Sequence, residues 1–329
     1  MLRFWDVRRF VVAGLLSAPF AACASFSAED PVAPPAEAGA VPVTPDATPL
    51  PVPAPGNCAI DAAFGQPVVL GGLKGYGVEA VRFGVNRSLV YLSLCPADGT
   101  KIGCDMYQGL VTGQDVFGSF AKMEASAPDA YDSYPTVTAD ARWLFFGSDR
   151  TTKDKAKLFR AEAEAGVFRN AVEQATAFAA SNEPYLLASG QTFYFAASEG
   201  LLPPRWDLYR AEGAVPSFGT PAKLRGVNEE LQNEFAPVPS EDELEIFFAS
   251  SRPPGRDANL EIWHAYRPTT AVDFGAPLHI ESDVNGTHND YPTSMSSDHC
   301  ELYFIRKDPG VGSGVGVAYV ARRPRPDAR

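Results

Sequence analysis

The sequence predicts an all-β protein, a five-bladed β-propeller that is closed when its N-terminal strand joins the last blade. The composition favours strands, because 28 glycines and 29 prolines stand beside 21 phenylalanines and 12 tyrosines, which suits tight turns and short strands. A set of motifs recurs at intervals of about fifty residues, and each copy holds four short β-like segments. One four-stranded sheet buries both faces only when neighbours stack against it, so five copies predict five blades.

Four elements recur in the same order and define the repeat. The first is a Phe-Gly pair, found as Phe64-Gly65, Phe117-Gly118, Phe218-Gly219 and Phe274-Gly275, with Phe168-Arg169 in the remaining copy. The second is an acid near a proline, the third an aromatic segment at 89–94, 143–148, 192–197, 245–250 and 302–306, and the fourth a segment at 106–107, 158–161, 208–211, 262–265 and 318–321. Residues 154–180 have helical spacing, but 158–162 align with 208–212 of the next copy, so strands are predicted there.

The order of these elements also predicts how the ring closes. The chain enters the repeat region with the Phe-Gly segment at 58–70 and leaves it with the segment at 318–321. The first segment therefore has no predecessor in its own blade, and the last blade lacks its outermost strand. We expect 58–70 to complete blade five, since an open ring would expose two sheet edges.

The best copy of the repeat carries a resemblance to a known family. It runs through Asn233–Asp242, then Leu244–Arg252 and then Leu260–Ala265. This sequence motif resembles the WD40-like repeat called PD40, which is found in TolB-type propellers of the bacterial envelope. The resemblance covers residues 58–323. It implies a propeller that mediates protein contacts and whose motif residues are structural.

The N-terminus resembles an export signal. Arg3, Arg8 and Arg9 precede an apolar run at 10–20 that is too short to span a bilayer. We expect residues 1–22 to be a signal peptide of the lipoprotein type that leaves Cys23 as the lipid attachment site; the alternative is cleavage within an A-x-A site and release. Residues 23–57 are predicted to be a disordered Pro/Ala-rich tether, and 324–329 a disordered tail.

Charge and localisation restrict the partners. The net charge of −12 gives no electrostatic footprint for nucleic acid. We expect an exported, membrane-anchored lipoprotein facing the periplasm or the cell surface, in contact with the membrane through its lipid anchor alone. The expected partner is an envelope protein or polysaccharide, no cofactor is predicted, and the chain is expected to be a monomer.

Four cysteines remain after Cys23, an even number that favours disulfides in an exported chain. Cys95 and Cys104 flank a short loop between two segments expected to be antiparallel neighbours. Cys58 and Cys300 are far apart in sequence, but the predicted closure places both in blade five, where a bridge would staple the ring. Four unpaired thiols are the alternative.

One recurring set of acids is the candidate binding site. The five acids Glu79, Asp132, Glu183, Glu234 and Asp290 each stand just before the presumed innermost strand of one repeat. Around a central channel mouth, five carboxylates could hold a cation or a basic peptide. The alternative is that each carboxylate caps backbone N–H groups or pairs with a basic residue of the adjoining blade.

The sequence carries no recognised catalytic or metal-binding motif. The four histidines lack metal-ligand spacing, Ser313 fails the nucleophile-elbow pattern, and the acidic loop at 283–290 fails the EF-hand pattern. We therefore expect a non-catalytic scaffold that binds a protein or polymer. The alternative is a carbohydrate-active enzyme, a glycoside hydrolase or lyase, with unequal acids in the channel; a ligand-free spacer is a third hypothesis.

Overall fold

The computed structural model describes residues 58–59, 62–97, 103–200, 205–253, 259–308 and 316–325. The predicted signal peptide, Cys23, the tether at 23–57 and residues 326–329 of the predicted tail lie outside the described residues. Within them every regular element is a β-strand, and no helix is long and apolar enough to cross a membrane.

Twenty of the strands form five antiparallel sheets of four strands each. The remaining strand, β14, pairs with β12 and belongs to the third sheet. Blade one contains β2 (Tyr76–Phe83), β3 (Leu89–Pro96), β4 (Asp105–Gly113) and β5 (Val116–Lys122). Blade two contains β6 (Asp132–Val137), β7 (Trp143–Ser148), β8 (Lys157–Glu164) and β9 (Val167–Glu173). Blade three contains β10 (Ala180–Leu186), β11 (Thr192–Ser198), β12 (Asp207–Ala214), β13 (Ser217–Phe218) and β14 (Ala222–Lys223). Blade four contains β15 (Glu234–Pro239), β16 (Glu245–Ser250), β17 (Glu261–Tyr266) and β18 (Leu278–His279). Blade five contains β19 (Asn289–Met295), β20 (Glu301–Lys307), β21 (Gly316–Arg322) and β1 (Val68–Val69).

The N-terminal strand closes the ring, which confirms the predicted architecture. Strand β1 is the outermost strand of blade five, with Val68 opposite Val320. The pairing extends beyond the strand, because the Leu70 N–H donates to the Ala318 carbonyl at 2.9 Å and the Gly65 N–H donates to the Arg322 carbonyl at 2.9 Å. The last blade is thus built from both ends of the described chain.

The second strand of each blade is buried on both faces. All six residues of β16 are buried, and its Ile246-Phe247-Phe248-Ala249 core is a continuous apolar run. Such runs replace the usual apolar–polar alternation because each blade packs against a neighbour on either side. Between blades two and three, the ring of Phe145 lies 5.2 Å from that of Phe193 and 5.7 Å from that of Phe218. These aromatic contacts hold adjacent sheets together.

Repeat register, rather than local propensity, decides the alanine- and glutamate-rich segment. Residues 157–164 and 167–173 form the hairpin of β8 and β9, in which Phe159 faces Glu173. Strand β8 also pairs with β7 along its length. Pairing with β7 therefore holds residues 157–164 in a strand, because a helix here would leave the backbone groups of β7 without partners. The predicted strands are confirmed.

Candidate functional site

The central channel is bounded by the first strand of each blade. Strands β2, β6, β10, β15 and β19 are neighbours around the axis. They start at one mouth, here called the entry mouth, and end at the other, here called the turn mouth, where hairpins lead into the second strands. Each inner strand carries a β-bulge, a device that redirects side chains at functional or structural positions.

Three of the five predicted acids lie at the entry mouth and are paired within their own blades. Asp132, Glu234 and Asp290 are fully buried and bind arginines that follow or end the second strand. The ion-pair distances are 2.8 Å to Arg150, 2.9 Å to Arg252 and 2.8 Å to Arg306. The repeated geometry ties the first strand of a blade to its second strand, so these acids perform a structural task.

The other two acids, Glu79 and Glu183, lie deeper, at the bulges of β2 and β10. Both Glu79 oxygens accept hydrogen bonds from Lys307 Nζ at 2.6 Å, which links blade one to blade five. Among the described residues no cation forms an ion pair with Glu183, which accepts the N–H of Ala236 at 2.5 Å. Burial raises the pKa of Glu183 from 4.5 to about 7, and nearby Glu79 adds to the rise, while the Ala236 N–H and the Lys307 charge oppose it. The two deep carboxyls are therefore chemically unequal.

Tyrosine side chains surround the deep acids. Tyr134 is buried with Ala80 and Ala236, and Tyr291 packs against this group. Burial and the neighbouring carboxylates raise the pKa values of Tyr134 and Tyr131 well above their ordinary value, so both phenols stay protonated. The middle of the channel is a packed layer of tyrosines and two acids.

The predicted acids thus occupy two levels of the channel. By strand register, Glu183 matches Tyr134 and Ala236 at the bulge, whereas Asp132 matches Ser181 and Glu234 at the strand start. The prolines Pro184 and Pro135 match in register, but Glu183 stands one residue before its proline and Asp132 three residues before its own, so the two acids differ in level by two residues. The observed partners are an arginine of the same blade, a lysine of another blade and a backbone N–H.

The two predicted cysteine pairs are joined in the structure. Cys58 and Cys300 form a disulfide with Cα atoms 5.8 Å apart, which connects the segment before β1 to the start of β20. Cys95 and Cys104 form a second disulfide across the β3–β4 hairpin. All four disulfide-bonded cysteines are buried. In the described part of the chain, no group of three or more His, Cys, Asp or Glu residues could hold a metal ion.

A cavity of about 440 Å³ lies at the turn mouth. We call it the mouth cavity. Its deep wall consists of Arg82, Thr136, Tyr185, Leu186 and Ser294, all buried, from the ends of β2, β6, β10 and β19. The outer wall is formed by Phe83, Val85, Asn86, Arg87, Val137, Ala188, Glu241, Met295 and Ser297, with Gly84. Neither deep acid of the channel lines this cavity.

Arg82 is the unusual residue of the mouth cavity. It is only 4% exposed, yet its Nε and Nη1 atoms have no hydrogen-bond partner among the described residues. Its Nη2 donates to the Pro184 carbonyl at 3.4 Å, a long contact, and the guanidinium lies 4.1 Å from the centre of the Tyr185 ring. Burial lowers the pKa of Arg82 to about 10, partly offset by Tyr185 and other neighbours.

The second arginine of the mouth cavity, Arg87, is already neutralised. Its Nη2 donates to Glu301 at 3.0 Å and to the Tyr303 hydroxyl at 2.7 Å. At the rim, Glu241 accepts the N–H of Ala188 at 3.0 Å. The deep end of the cavity therefore presents the unpaired positive charge of Arg82, next to hydroxyls and apolar walls. Sequence analysis missed Arg82.

Comparisons with solved structures show the fold. The chain is similar to a protein designated TolB from Agrobacterium tumefaciens, with 14% identity, coverage of 80% of this chain and 99% of that chain, and a TM-score of 0.49. It is also similar to the catalytic domain of a GH62 α-L-arabinofuranosidase from Coprinopsis cinerea, with 12% identity, coverage of 80% and 98%, and a TM-score of 0.48. A third similar structure is MPT-4, a mannose phosphorylase from Leishmania mexicana, with 11% identity, coverage of 80% and 89%, and a TM-score of 0.50. No family model and no curated protein matches the chain.

Proposed function

We propose that this chain is a non-catalytic binding propeller of the PD40/TolB-like type that receives its ligand in the mouth cavity. The observation that carries this proposal is the lining of the cavity: it offers hydroxyls, aromatic and apolar walls and a guanidinium, while Glu79 and Glu183 lie outside it. A volume of about 440 Å³ is in the usual range of ligand sites. The ligand is an envelope protein or polysaccharide.

The proposed cellular setting follows from the N-terminal sequence. We propose that residues 1–22 direct export, that Cys23 carries a lipid and that residues 24–57 hold the propeller away from the membrane. The two disulfides fit an oxidising compartment. A lipid-anchored ring would then meet its partners within the envelope.

Filling the mouth cavity tests the binding proposal. Met295→Trp places a bulky side chain on the cavity wall, and Val172→Trp is the matched control because Val172 lies 49% exposed on the outer strand of blade two. Each protein, including wild type, is immobilised and exposed to solubilised envelope extract and to purified envelope polysaccharides. A ligand that wild type and Val172→Trp retain but Met295→Trp loses supports the proposal. Equal retention by all three proteins contradicts it.

One observation favours a second candidate, a carbohydrate-active enzyme. Glu79 is paired with Lys307 and Glu183 is not, so the two deep acids have unequal surroundings, as an acid–base pair requires. Incubation with a panel of polysaccharides and a reducing-sugar assay tests this candidate. Sugar release by wild type that is lost in Glu183→Gln supports catalysis; its absence across the panel supports the binding proposal.

A further inference from the structure

The mouth cavity contains a buried positive charge that the fold does not neutralise. This charge belongs to Arg82, which is 4% exposed and lies on the inner strand β2. Two of the three guanidinium nitrogens, Nε and Nη1, donate no hydrogen bond to the described residues. Buried charges are normally paired, because removing an ion from water is costly. A guanidinium at the wall of a cavity that forms no ion pair with the described residues is suited to receive an anion.

The neighbours of Arg82 do not supply that anion. Glu183 is close enough to influence the Arg82 charge, but its carboxyl is engaged by the Ala236 N–H. Glu241 lies at the rim of the cavity and bonds to the backbone of Ala188. Guanidinium geometry suits planar, two-oxygen anions such as carboxylates, which it can bind through two parallel hydrogen bonds.

The walls around Arg82 indicate what the carboxylate is attached to. Phe83, Val137, Leu186 and Met295, from the inner strands of four blades, line the mouth cavity with apolar side chains. Asn86, Thr136 and Ser294 add groups that can hydrogen-bond a peptide unit. The Thr136 hydroxyl oxygen already accepts the Leu186 N–H at 3.2 Å, so its proton points elsewhere. An apolar side chain, an amide and a carboxylate side by side describe the last residue of a peptide.

We propose that the mouth cavity binds the C-terminal carboxylate of a peptide that ends in an apolar residue, with Arg82 as the carboxylate receptor. The inference rests on the proposed binding function and names the chemistry of its ligand. The carboxylate would complete the hydrogen bonding of the guanidinium, and the terminal side chain would lie against the apolar wall. The rest of the peptide would leave through the turn mouth.

The test uses two probes that differ in one group. N-acetyl-L-leucine and N-acetyl-L-leucinamide share the apolar side chain and the peptide unit, but the second lacks the carboxylate charge. Calorimetric titration of the full chain at pH 7 should show the acid binding at least ~10-fold more tightly than the amide, because a charge-assisted bond to a buried partner is lost. Equal affinity for acid and amide, or no binding of the acid, overturns the inference.

Variants assign the effect to Arg82. Arg82→Gln should weaken binding of N-acetyl-L-leucine by ~30-fold or more and remove the preference for acid over amide. Arg169→Gln is the matched control, because Arg169 lies on the outer strand β9, pairs with Glu124 and does not line the mouth cavity, and it should change the affinity less than ~3-fold. Thermal unfolding verifies that both variants fold; the comparison of acid and amide on wild type needs no variant. An unchanged affinity in a folded Arg82→Gln protein overturns the assignment.

Two further probes distinguish sources of the carboxylate. Hexanoate has a carboxylate and an apolar chain but no peptide unit, and glucuronate carries its carboxylate on a sugar. Both should bind at least ~5-fold more weakly than N-acetyl-L-leucine, since each lacks part of the match to the walls. Tighter binding of either overturns the peptide assignment. If hexanoate or glucuronate binds more tightly than N-acetyl-L-leucine while Met295→Trp still loses the ligand in the capture experiment, the peptide inference is wrong and the binding function stands.

Discussion

Replacement of Glu183 by glutamine should stabilise the protein by an amount that grows as the pH rises from about 4.5 to about 7. The pKa of this carboxyl is raised from 4.5 to about 7 by burial. Between these values the folded chain keeps a proton that the unfolded chain has released, so wild-type stability falls as the pH rises through this interval. At about 1.4 kcal/mol per pH unit, the ionised carboxyl costs the folded state about 3 kcal/mol at pH 8 and less than about 1 kcal/mol at pH 5.

The assay is urea unfolding of wild type and Glu183→Gln at pH 5 and pH 8. The glutamine carbonyl still accepts the Ala236 N–H, so we expect a gain of about 2 to 3 kcal/mol at pH 8 and little change at pH 5. Asp132→Asn is the matched control: it removes the partner of Arg150, 2.8 Å away, and should lose stability at both pH values. A gain of equal size at both pH values, or a loss at pH 8, would refute the reasoning.

Three further stability predictions follow from the fold. Cys58→Ala with Cys300→Ala opens a loop of 242 residues and should lower the free energy of unfolding by up to about 5 kcal/mol, against about 3 kcal/mol for the disulfide of the β3–β4 hairpin; equal losses in urea unfolding would argue against loop closure as the cause. Arg252→Met leaves the fully buried Glu234 unpaired and should cost about 3 to 5 kcal/mol, most of it recovered by adding Glu234→Gln; additive losses would contradict the ion-pair account. Gly226→Ala should cost at least about 2 kcal/mol, because the residue has φ +78° and a Cβ atom there would lie 2.0 Å from a backbone oxygen; unchanged thermal unfolding would contradict it.

The architecture was predictable because it depends on the period of the repeat. The Phe-Gly pairs and aromatic segments recur in register, and a strand order that starts with an outer strand requires the two ends of the chain to meet. The pairing of Val68 with Val320 satisfies that requirement. The same logic predicted β8 and β9 in a segment whose local composition favours a helix.

The site was less predictable because it depends on strand register and on the convergence of strands. Asp132 stands three residues before its proline and Glu183 one residue before its own, so prolines that match in register place the two acids at different levels of the channel. Arg82 faces the channel at the position that Thr136, Tyr185 and Ser294 occupy in other blades. A lone cation among uncharged residues at an inward position is a signal that the repeat alignment contains. Its lack of a partner is visible only when the five strands are assembled.

The most direct test of the ligand site is a crystal structure of the full chain bound to N-acetyl-L-leucine. We expect the carboxylate in the mouth cavity, with at least one oxygen about 2.7 to 3.1 Å from a guanidinium nitrogen of Arg82. The leucine side chain should lie against Leu186 or Met295. A ligand bound elsewhere, or a mouth cavity filled by another segment of the same chain with Arg82 paired to it, would contradict the account.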